Sequence, residues 1–259
     1  MTTTVRGRMA AALHAVPAPV VTSLRRIPVA ARLIRPLVNR MLPDEPTAVT
    51  IRSGVGAGLR LVIDPQSEKF LWAGEHEPAV QQELAAALRA GMVFWDVGAH
   101  AGFFTVMAGR LVGERGRVHA FEPMPTTRVR LQQSVAQSGL TNVTFHDCAI
   151  SSEAGRVTIY EHRHSAIASL VRGPGAGVGH DVRCSTLDEV ADELGDPGVV
   201  KIDVEGVEAD ILRGGRRLLA RRSSRVIVEF TDDTVLAQAQ RLLPSHEFRQ
   251  LDDRHWLLR

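Results

Sequence analysis

Short apolar runs alternate with helical patterns through most of the chain, and this rhythm constrains the fold more than any other feature. The runs of strand length lie at 93–97, 117–122, 143–147, 199–204 and 225–230. Strands that alternate with helices form a mostly parallel sheet, which the helices cover on both faces. Two further short strands fall near the C-terminus, within 247–258. We therefore predict an α/β fold with a doubly wound, mostly parallel, seven-stranded sheet.

Several segments outside this rhythm have their own patterns. Residues 49–63 alternate in part around glycines and predict a hairpin, and 77–91 have helical periodicity that closes on a glycine. After the third strand the chain is irregular: 155–162 predicts an extra strand and the Gly-rich stretch 172–181 predicts a loop. Later in the chain, 207–222 has the pattern of one helix.

The N-terminal segment differs in composition from the rest. Residues 1–43 hold seven arginines, five prolines and no acidic residue, although the whole chain has a formal net charge of only +2. Proline interrupts helices, so two or three short helices are expected. We divide the chain into an Arg/Pro-rich helical arm, 1–48, and an α/β domain, 49–259. A basic arm suits nucleic acid, an anionic membrane surface or an acidic partner. We favour a solvated arm with no more than peripheral membrane contact, and expect a homodimer built on it.

The cysteines and the lengths of the apolar runs indicate the cellular compartment of the protein. The two cysteines, Cys148 and Cys184, belong to no CxxC or Cys/His cluster, which argues against a disulfide framework or a structural zinc site. No apolar run approaches the ~20 residues of a membrane span. The start of the chain also lacks an apolar signal region before a cleavage site. We expect a cytoplasmic protein.

The stretch VFWDVGAHAGFFT, residues 93–105, carries the first functional signal. A buried strand ends on Asp96, and a turn with Gly98 and Gly102 leads directly into a helix. Glycine lets a ligand approach the backbone, and a helix N-terminus favours an anionic group. A dinucleotide site requires G-x-G-x-x-G, but His100 occupies the position of the middle glycine. This turn therefore favours S-adenosylmethionine over NAD, because an acid and a helix N-terminus suit the methionyl ammonium and carboxylate.

The ends of the next two strands add further candidate cofactor residues. Glu122 ends the second strand, where an acid accepts hydrogen bonds from the vicinal ribose hydroxyls. Asp147 and Cys148 follow the third strand, and we expect them to edge the adenine. The alternative for Asp147 is a strand-end acid that caps a turn. Asp203, at the end of the fourth strand, completes the predicted cofactor set.

Several motifs together resemble one known family. VKIDVEGVEADILRGG (200–215), with WDVGAHAGFFT, HAFEPMP, NVTFHDCAIS, VIVEF and the lead-in GEHEP, is similar to the FkbM family of S-adenosylmethionine-dependent O-methyltransferases. The resemblance runs from about Trp72 to Phe230 and implies the Rossmann-like class I methyltransferase fold. It also implies methyl transfer to a hydroxyl of a sugar, polyketide or related metabolite. His100 departs from the family pattern, which usually has Asn at this position.

Acidic residues at the ends of the fourth and fifth strands suggest the chemistry. Asp203 and Glu229 should face one cleft because their strands are neighbours, and Glu205 lies in the loop between them. A hard cation reduces the electrostatic repulsion between clustered carboxylates, so we expect Mg²⁺ with Asp203 and Glu229 as ligands. Transfer without a metal is the alternative. Glu205 is expected either as a further ligand or as the general base, and His164 is a second candidate base. Asp203, Glu205 and His164 form the predicted catalytic set.

Other functions remain open at this stage. We favour a sugar or saccharide acceptor, since the cleft is acid-rich and only 5% of residues are aromatic. A polyketide or lipid acceptor comes next. An RNA methyltransferase is suggested by the basic arm, but base-methylating enzymes of this fold commonly carry Asn/Asp-Pro-Pro-Tyr where this chain has IDVEG. A non-catalytic partner module that uses the arm is a third class.

Overall fold

The computed structural model describes residues 43, 45–68, 70–162, 168–169 and 176–259, and only the backbone of 161, 162, 168, 169 and 176. Most of the expected N-terminal arm lies outside the described residues, so its helices, the domain boundary and the homodimer remain predictions. Over the described part of the chain, no helix combines the length and apolar character needed to cross a bilayer.

Thirteen strands and seven helices make up the described chain. The strands are β1 (Thr47–Thr50), β2 (Arg60–Ile63), β3 (Val93–Val97), β4 (Arg117–Phe121), β5 (Val143–His146), β6 (Cys148–Ile150), β7 (Gly155–His162), β8 (Ala168–Ser169), β9 (Ala176–Ser185), β10 (Val199–Ile202), β11 (Arg225–Glu229), β12 (Phe248–Gln250) and β13 (His255–Leu258). The helices are α1 (Pro78–Ala87), α2 (Phe103–Val112), α3 (Pro125–Gln137), α4 (Leu187–Leu194), α5 (Glu208–Arg213), α6 (Arg216–Ala220) and α7 (Asp233–Leu242), with a 3₁₀ turn at Leu71–Ala73.

The main sheet has seven strands in the order β12-β13-β11-β10-β3-β4-β5. The strands from β11 to β5 pair in parallel, whereas β13 runs antiparallel to both β11 and β12. The sequence-based prediction of a doubly wound, mostly parallel sheet is confirmed. The strand order reverses between β10 and β3, and in such sheets ligands bind beside the carboxyl ends of the strands at that point.

The sheet is buried on both faces, as its continuous apolar strands require. One apolar cluster joins Phe94, Val118 and Val199 to helices α1, α2 and α3. A second cluster, on the other face, joins Trp95 and Val200 to helices α4 to α7. The period-2 alternation along each strand sends neighbouring side chains to opposite clusters.

Two smaller sheets flank this core. Strands β1 and β2 form the predicted antiparallel hairpin. Strands β6, β9, β7 and β8 form a four-stranded sheet, of which the sequence pattern predicted only β7. The expected loop at 172–181 is wrong from Ala176 onward, because that segment pairs with β7 as the first half of β9. The predicted helix at 207–222 is also wrong in part, since it is split into α5 and α6.

Candidate active site

A cavity of about 690 Å³ opens at the carboxyl ends of β3, β4, β10 and β11. One side is lined by the turn after β3 and by Glu122, and the other by Asp203, Glu205 and Glu229. The segment between β2 and α1, including Glu68 and Glu77, also lines it. The predicted cofactor turn and the predicted acidic cluster therefore share one continuous space.

Asp96 is the last but one residue of β3, and its carboxyl group is buried in this cavity wall. Its Oδ2 accepts a hydrogen bond from Thr105 Oγ1 of α2 at 2.5 Å. Its Oδ1 is buried and has no hydrogen-bond partner among the described residues. Burial raises the pKa of Asp96, and the charge of Lys201 opposes that shift. An orphaned carboxylate oxygen in a cavity is ready to accept from a cationic amine, so this position fits the methionyl ammonium of S-adenosylmethionine.

Gly98 holds the tightest backbone contact of the site. It has φ +82°, and a Cβ built on it would lie 2.0 Å from the carbonyl oxygen of Asp203. The loops after β3 and β10 can approach this closely only because the residue has no side chain. The contact fixes the backbone of Asp203 against the predicted cofactor turn.

Glu122, at the end of β4, is buried and bound by the same turn. Its Oε2 accepts from the backbone N–H of His100, and its Oε1 from that of Met124, both at 2.9 Å. Burial raises the pKa of Glu122, although the charge of His100 and the two backbone hydrogen bonds act in the opposite direction. Each oxygen of this carboxylate keeps a second lone pair, so it could also accept from a ribose diol.

The side chain of His100 points away from Glu122 and toward the segment that follows β2. Its Nε2 lies 3.1 Å from Glu68 Oε1, while Arg130 Nη1 of α3 lies 2.5 Å from Glu68 Oε2. Burial acts against the charged imidazole, but the hydrogen bond and charge of Glu68 outweigh it and raise the pKa of His100. Burial would raise the pKa of Glu68, yet these two cationic partners lower it to about 2. Glu68 thus joins the segment between β2 and α1 to the turn after β3 and to helix α3.

Lys201 is the centre of charge at the other end of the cavity. It lies in β10, is 1% exposed, and places Nζ 2.6 Å from Asp203 Oδ2 and 4.5 Å from the ring centroid of Phe104. Burial opposes its charge, but the charges of Asp203, Glu77 and Asp96 raise the pKa of Lys201 above its ordinary value. The ammonium group therefore links acids from three different segments.

Asp203 and Glu229 both line the cavity at the ends of neighbouring strands, as the sequence predicts, and each affects the pKa of the other. Burial and the charge of Asp203 raise the pKa of Glu229. For Asp203 burial acts in the same direction, but the charge of Lys201 outweighs it and lowers the pKa. Asp203 is then the ionised member of the pair. The ammonium of Lys201 already supplies a positive charge at Asp203, and ligation of Mg²⁺ by Asp203 and Glu229 stays a prediction.

Comparison with known proteins identifies the domain. The profile of the methyltransferase FkbM domain matches residues 96–253, which is more than half of the chain. The chain belongs to the FkbM methyltransferase family. The resemblance drawn from the motifs is thereby confirmed, and the fold is the Rossmann-like fold of class I methyltransferases.

Solved methyltransferase structures are similar at low identity. Methyltransferase FkbM from Methylobacillus flagellatus KT aligns with a TM-score of 0.47 and 16% identity, over 69% of this chain and 50% of that chain. This chain thus spans half the length of that protein. Aeropyrum pernix fibrillarin, solved with natively bound S-adenosyl-L-methionine, aligns with a TM-score of 0.43 and 14% identity, over 69% of this chain and 73% of that chain. No curated protein gives a match.

The IDVEG-x-E signature of this FkbM domain splits into two roles. Glu205 is exposed and lines the cavity. Glu208 is buried at the start of α5, where its Oε1 accepts from the backbone N–H of Thr231 at 2.9 Å and from its hydroxyl. Gly206 N–H donates to that same hydroxyl at 2.9 Å. The second half of the signature therefore joins the loops after β10 and β11 and keeps Asp203 and Glu229 in register.

Some predicted site residues of the FkbM domain lie elsewhere. Asp147 is exposed and lies 3.7 Å from Arg183 Nη2, whereas Cys148 is buried in β6. Neither lines the cavity, so the structure does not bring them to the expected adenine edge. Gly102 precedes α2 and packs against α3 rather than the cavity. His164 falls outside the described residues and stays a prediction.

Sequence reasoning missed most of the residues that complete the acidic end of the site. They are Glu77, Lys201, Arg254 and His255, and Glu68 was missed at the cofactor end. Glu77 belongs to the GEHEP lead-in of the FkbM resemblance, and a lysine inside a buried strand was a second available signal. His255 and Arg254 had no local signal, because they reach the site only through the pairing of β13 with β11.

Proposed function

We propose that this FkbM domain is an S-adenosylmethionine-dependent O-methyltransferase that methylates a hydroxyl of a small molecule, preferably a sugar or saccharide. One observation carries the proposal. The cavity that contains Asp96, Gly98 and Glu122 continues without a break to the carboxylates of Asp203 and Glu229. A cofactor bound by the first group would present its reactive end toward the second.

S-adenosylmethionine supplies an electrophilic methyl group on its sulfonium. The buried Oδ1 of Asp96 would accept from the methionyl ammonium, and Glu122 would accept from the ribose hydroxyls. His100 and Arg130, both held by Glu68, place positive charge beside the turn and suit the methionyl carboxylate. These assignments rest on the orphaned oxygen and on the position of each group in the cavity wall.

Asp203 is the best-placed group to orient the acceptor hydroxyl and take its proton. It lies at the end of β10, and its side chain remains 28% exposed toward the cavity while Lys201 is almost fully buried behind it. An ionised carboxylate that is held by an ammonium group can accept a hydroxyl hydrogen bond without a metal ion at that oxygen. We therefore propose that Asp203 acts without Mg²⁺, with Glu205 at the rim and His164 as the alternative base.

The polar character of this end of the cavity supports a polyol acceptor. Asp203, Glu205, Glu229 and Arg254 offer several hydrogen-bonding groups within one wall. A polyketide or lipid acceptor is the second candidate. It is favoured by Phe70, which also lines the cavity and packs at a tilt against His76, whose ring in turn meets Phe103 of α2 edge-on.

Mass spectrometry with cofactor labelled in its methyl group would test the reaction. The full chain should transfer one labelled methyl to a member of a sugar panel, and Asp203→Asn should lower the rate by ~10²-fold or more, the scale of a lost general base. Asp181→Asn, which changes an exposed acid outside the cavity, is the matched control. Transfer only to polyketide or lipid acceptors would replace the sugar, and transfer only to RNA would overturn the proposal.

A further inference from the structure

Three side chains from distant parts of the chain converge beside the acidic wall of the cavity. Each of Glu77, Glu229 and His255 offers one ligand atom, and these atoms all lie within 4.8 Å of one another. Nε2 of His255 lies 3.2 Å from Glu77 Oε2 and 3.9 Å from Glu229 Oε2. One point between them is within coordination distance of a nitrogen and two carboxylate oxygens.

The other polar atom of each side chain is held by a separate partner. Glu77 Oε1 lies 2.8 Å from His76 Nε2, and Glu229 Oε1 lies 2.8 Å from Arg254 Nη2. Nδ1 of His255 lies 2.7 Å from Asp252 Oδ1. Outer partners of this kind fix the orientation of metal ligands, and a carboxylate behind the second histidine nitrogen is the commonest arrangement.

The nitrogen that faces the two glutamates lies at ion-pair distance from Glu77 but makes no well-aligned hydrogen bond. The side chain of His255 is only 5% exposed, and among the described residues its Nε2 has no hydrogen-bond partner. The Oε2 of Glu77 has none either, although the two atoms are 3.2 Å apart. A proton on Nε2 would not point along the line to that oxygen. A cation placed off this line would contact both orphaned atoms at once, which a hydrogen bond does not achieve.

The surrounding charges also leave room for a cation. Four carboxyl groups lie in this part of the cavity, those of Asp96, Asp203, Glu77 and Glu229. The charges of the first three raise the pKa of Lys201. Two permanent cations, Lys201 and Arg254, pair with them. A cation that binds Glu229 would displace the proton that the raised pKa of this carboxyl group favours.

We infer that Glu77, Glu229 and His255 form a binding site for a divalent transition-metal ion at the acceptor end of the cavity. One imidazole and two carboxylates suit Mn²⁺, Fe²⁺ or Zn²⁺, whereas Mg²⁺ prefers oxygen ligands alone. The site is distinct from the one expected from sequence, since it replaces Asp203 by two residues with no strand-end signal. Metal binding here does not depend on which acceptor the enzyme uses.

Titration of the chelator-stripped full chain with Mn²⁺, followed by electron paramagnetic resonance, tests the site. One ion should bind per chain and show coupling to an imidazole nitrogen. Glu77→Gln and His255→Gln should each weaken binding by at least about tenfold, the lower end of what even an outer partner contributes. Glu83→Gln, on α1 but paired with Arg249 instead, is the matched control and should bind like the wild type.

Each remaining result decides against the site. Absence of Mn²⁺ and Zn²⁺ binding, binding without nitrogen coupling, or equal binding by both variants and the wild type would overturn the inference. If His255→Gln does not fold, the nitrogen coupling of the wild type and the Glu77→Gln titration still decide. Mg²⁺ should compete only weakly for bound Mn²⁺. No methyl transfer is measured, so failure here is separate from failure of the proposed function.

Discussion

Lys201 shows how one residue organises the reactive end of the site. A lysine ammonium that is 1% exposed would be strongly destabilising without compensation, because burial removes its hydration. It is compensated by Asp203 at 2.6 Å and by the ring of Phe104. The same contact keeps Asp203 ionised and aimed at the cavity. The buried charge of Lys201 therefore positions the carboxylate of Asp203 rather than stabilising the sheet.

Asp96 provides the sharpest test at the scale of a single residue. Asp96→Asn keeps an oxygen for the hydroxyl of Thr105 but turns an amide donor toward the methionyl ammonium. A hydrogen bond to a charged group contributes about 1.5–3 kcal/mol, so affinity for S-adenosylhomocysteine should fall by roughly 10- to 100-fold. Isothermal titration calorimetry measures this change.

Asp181→Asn serves as the control for that measurement, because Asp181 pairs with Arg156 on the surface of the four-stranded sheet. Its affinity for S-adenosylhomocysteine should equal that of the wild type. Unchanged affinity in a correctly folded Asp96→Asn protein would remove Asp96 from the cofactor site.

At the scale of elements, tertiary contacts override local helix periodicity between α5 and α6. A Cβ on Gly214 would lie 2.2 Å from the carbonyl oxygen of Ser151, and one on Gly215 would lie 2.8 Å from Leu187 Cδ1. The chain breaks at this glycine pair because both positions press against α4 and the segment after β6. Periodicity alone indicated one helix at 207–222, since it contains no information about these neighbours.

Helix α4 is fixed by the residue that precedes it, Thr186. Thr186 Oγ1 accepts from the backbone N–H of Glu189 at 3.1 Å, and Glu189 Oε2 accepts from the backbone N–H of Thr186 at 3.2 Å, which completes a capping box. Thr186→Ala should lower the free energy of unfolding by about 1 kcal/mol, measured by urea denaturation. Thr186→Ser keeps the oxygen and should retain most of that stability. Equal losses for the two variants would show that the methyl group, not the cap, matters.

At the scale of the whole molecule, one histidine pair should make stability depend on pH. His119 Nδ1 lies 3.0 Å from His146 Nε2 across β4 and β5. Burial, the charge of His146 and that of Arg117 lower the pKa of His119 to about 4. Burial lowers the pKa of His146 too; Arg183 acts in the same direction, and Glu193 and Asp147 oppose it.

The sign of this effect follows from linkage. A histidine whose folded pKa lies below its unfolded value of about 6.5 contributes full stability above that pH and loses it as the pH falls toward 4. His119→Gln removes this loss. As the pH falls from 7 to 5, the melting temperature of the variant should therefore rise relative to that of the wild type. Differential scanning calorimetry measures this difference. Parallel melting curves over this range would contradict the prediction.

The amino-acid sequence by itself determined the fold class and one half of the site. Strand and helix periods are local, so the alternation from β3 to β11 could be read directly. Asp96, Gly98 and Glu122 were found because parallel strands place their carboxyl ends at one edge of the sheet, where any strand-end acid must lie. The same rule placed Asp203 opposite Glu229.

Only the tertiary structure decided the other half. Glu77 precedes a helix outside the main rhythm, and His255 begins a strand whose place beside β11 is set by sheet order rather than by any local pattern. Their meeting depends on the contact between Glu77 and His255, which are 178 residues apart in the chain. Local periodicity contains no information about such pairings, because they form through packing of the complete sheet.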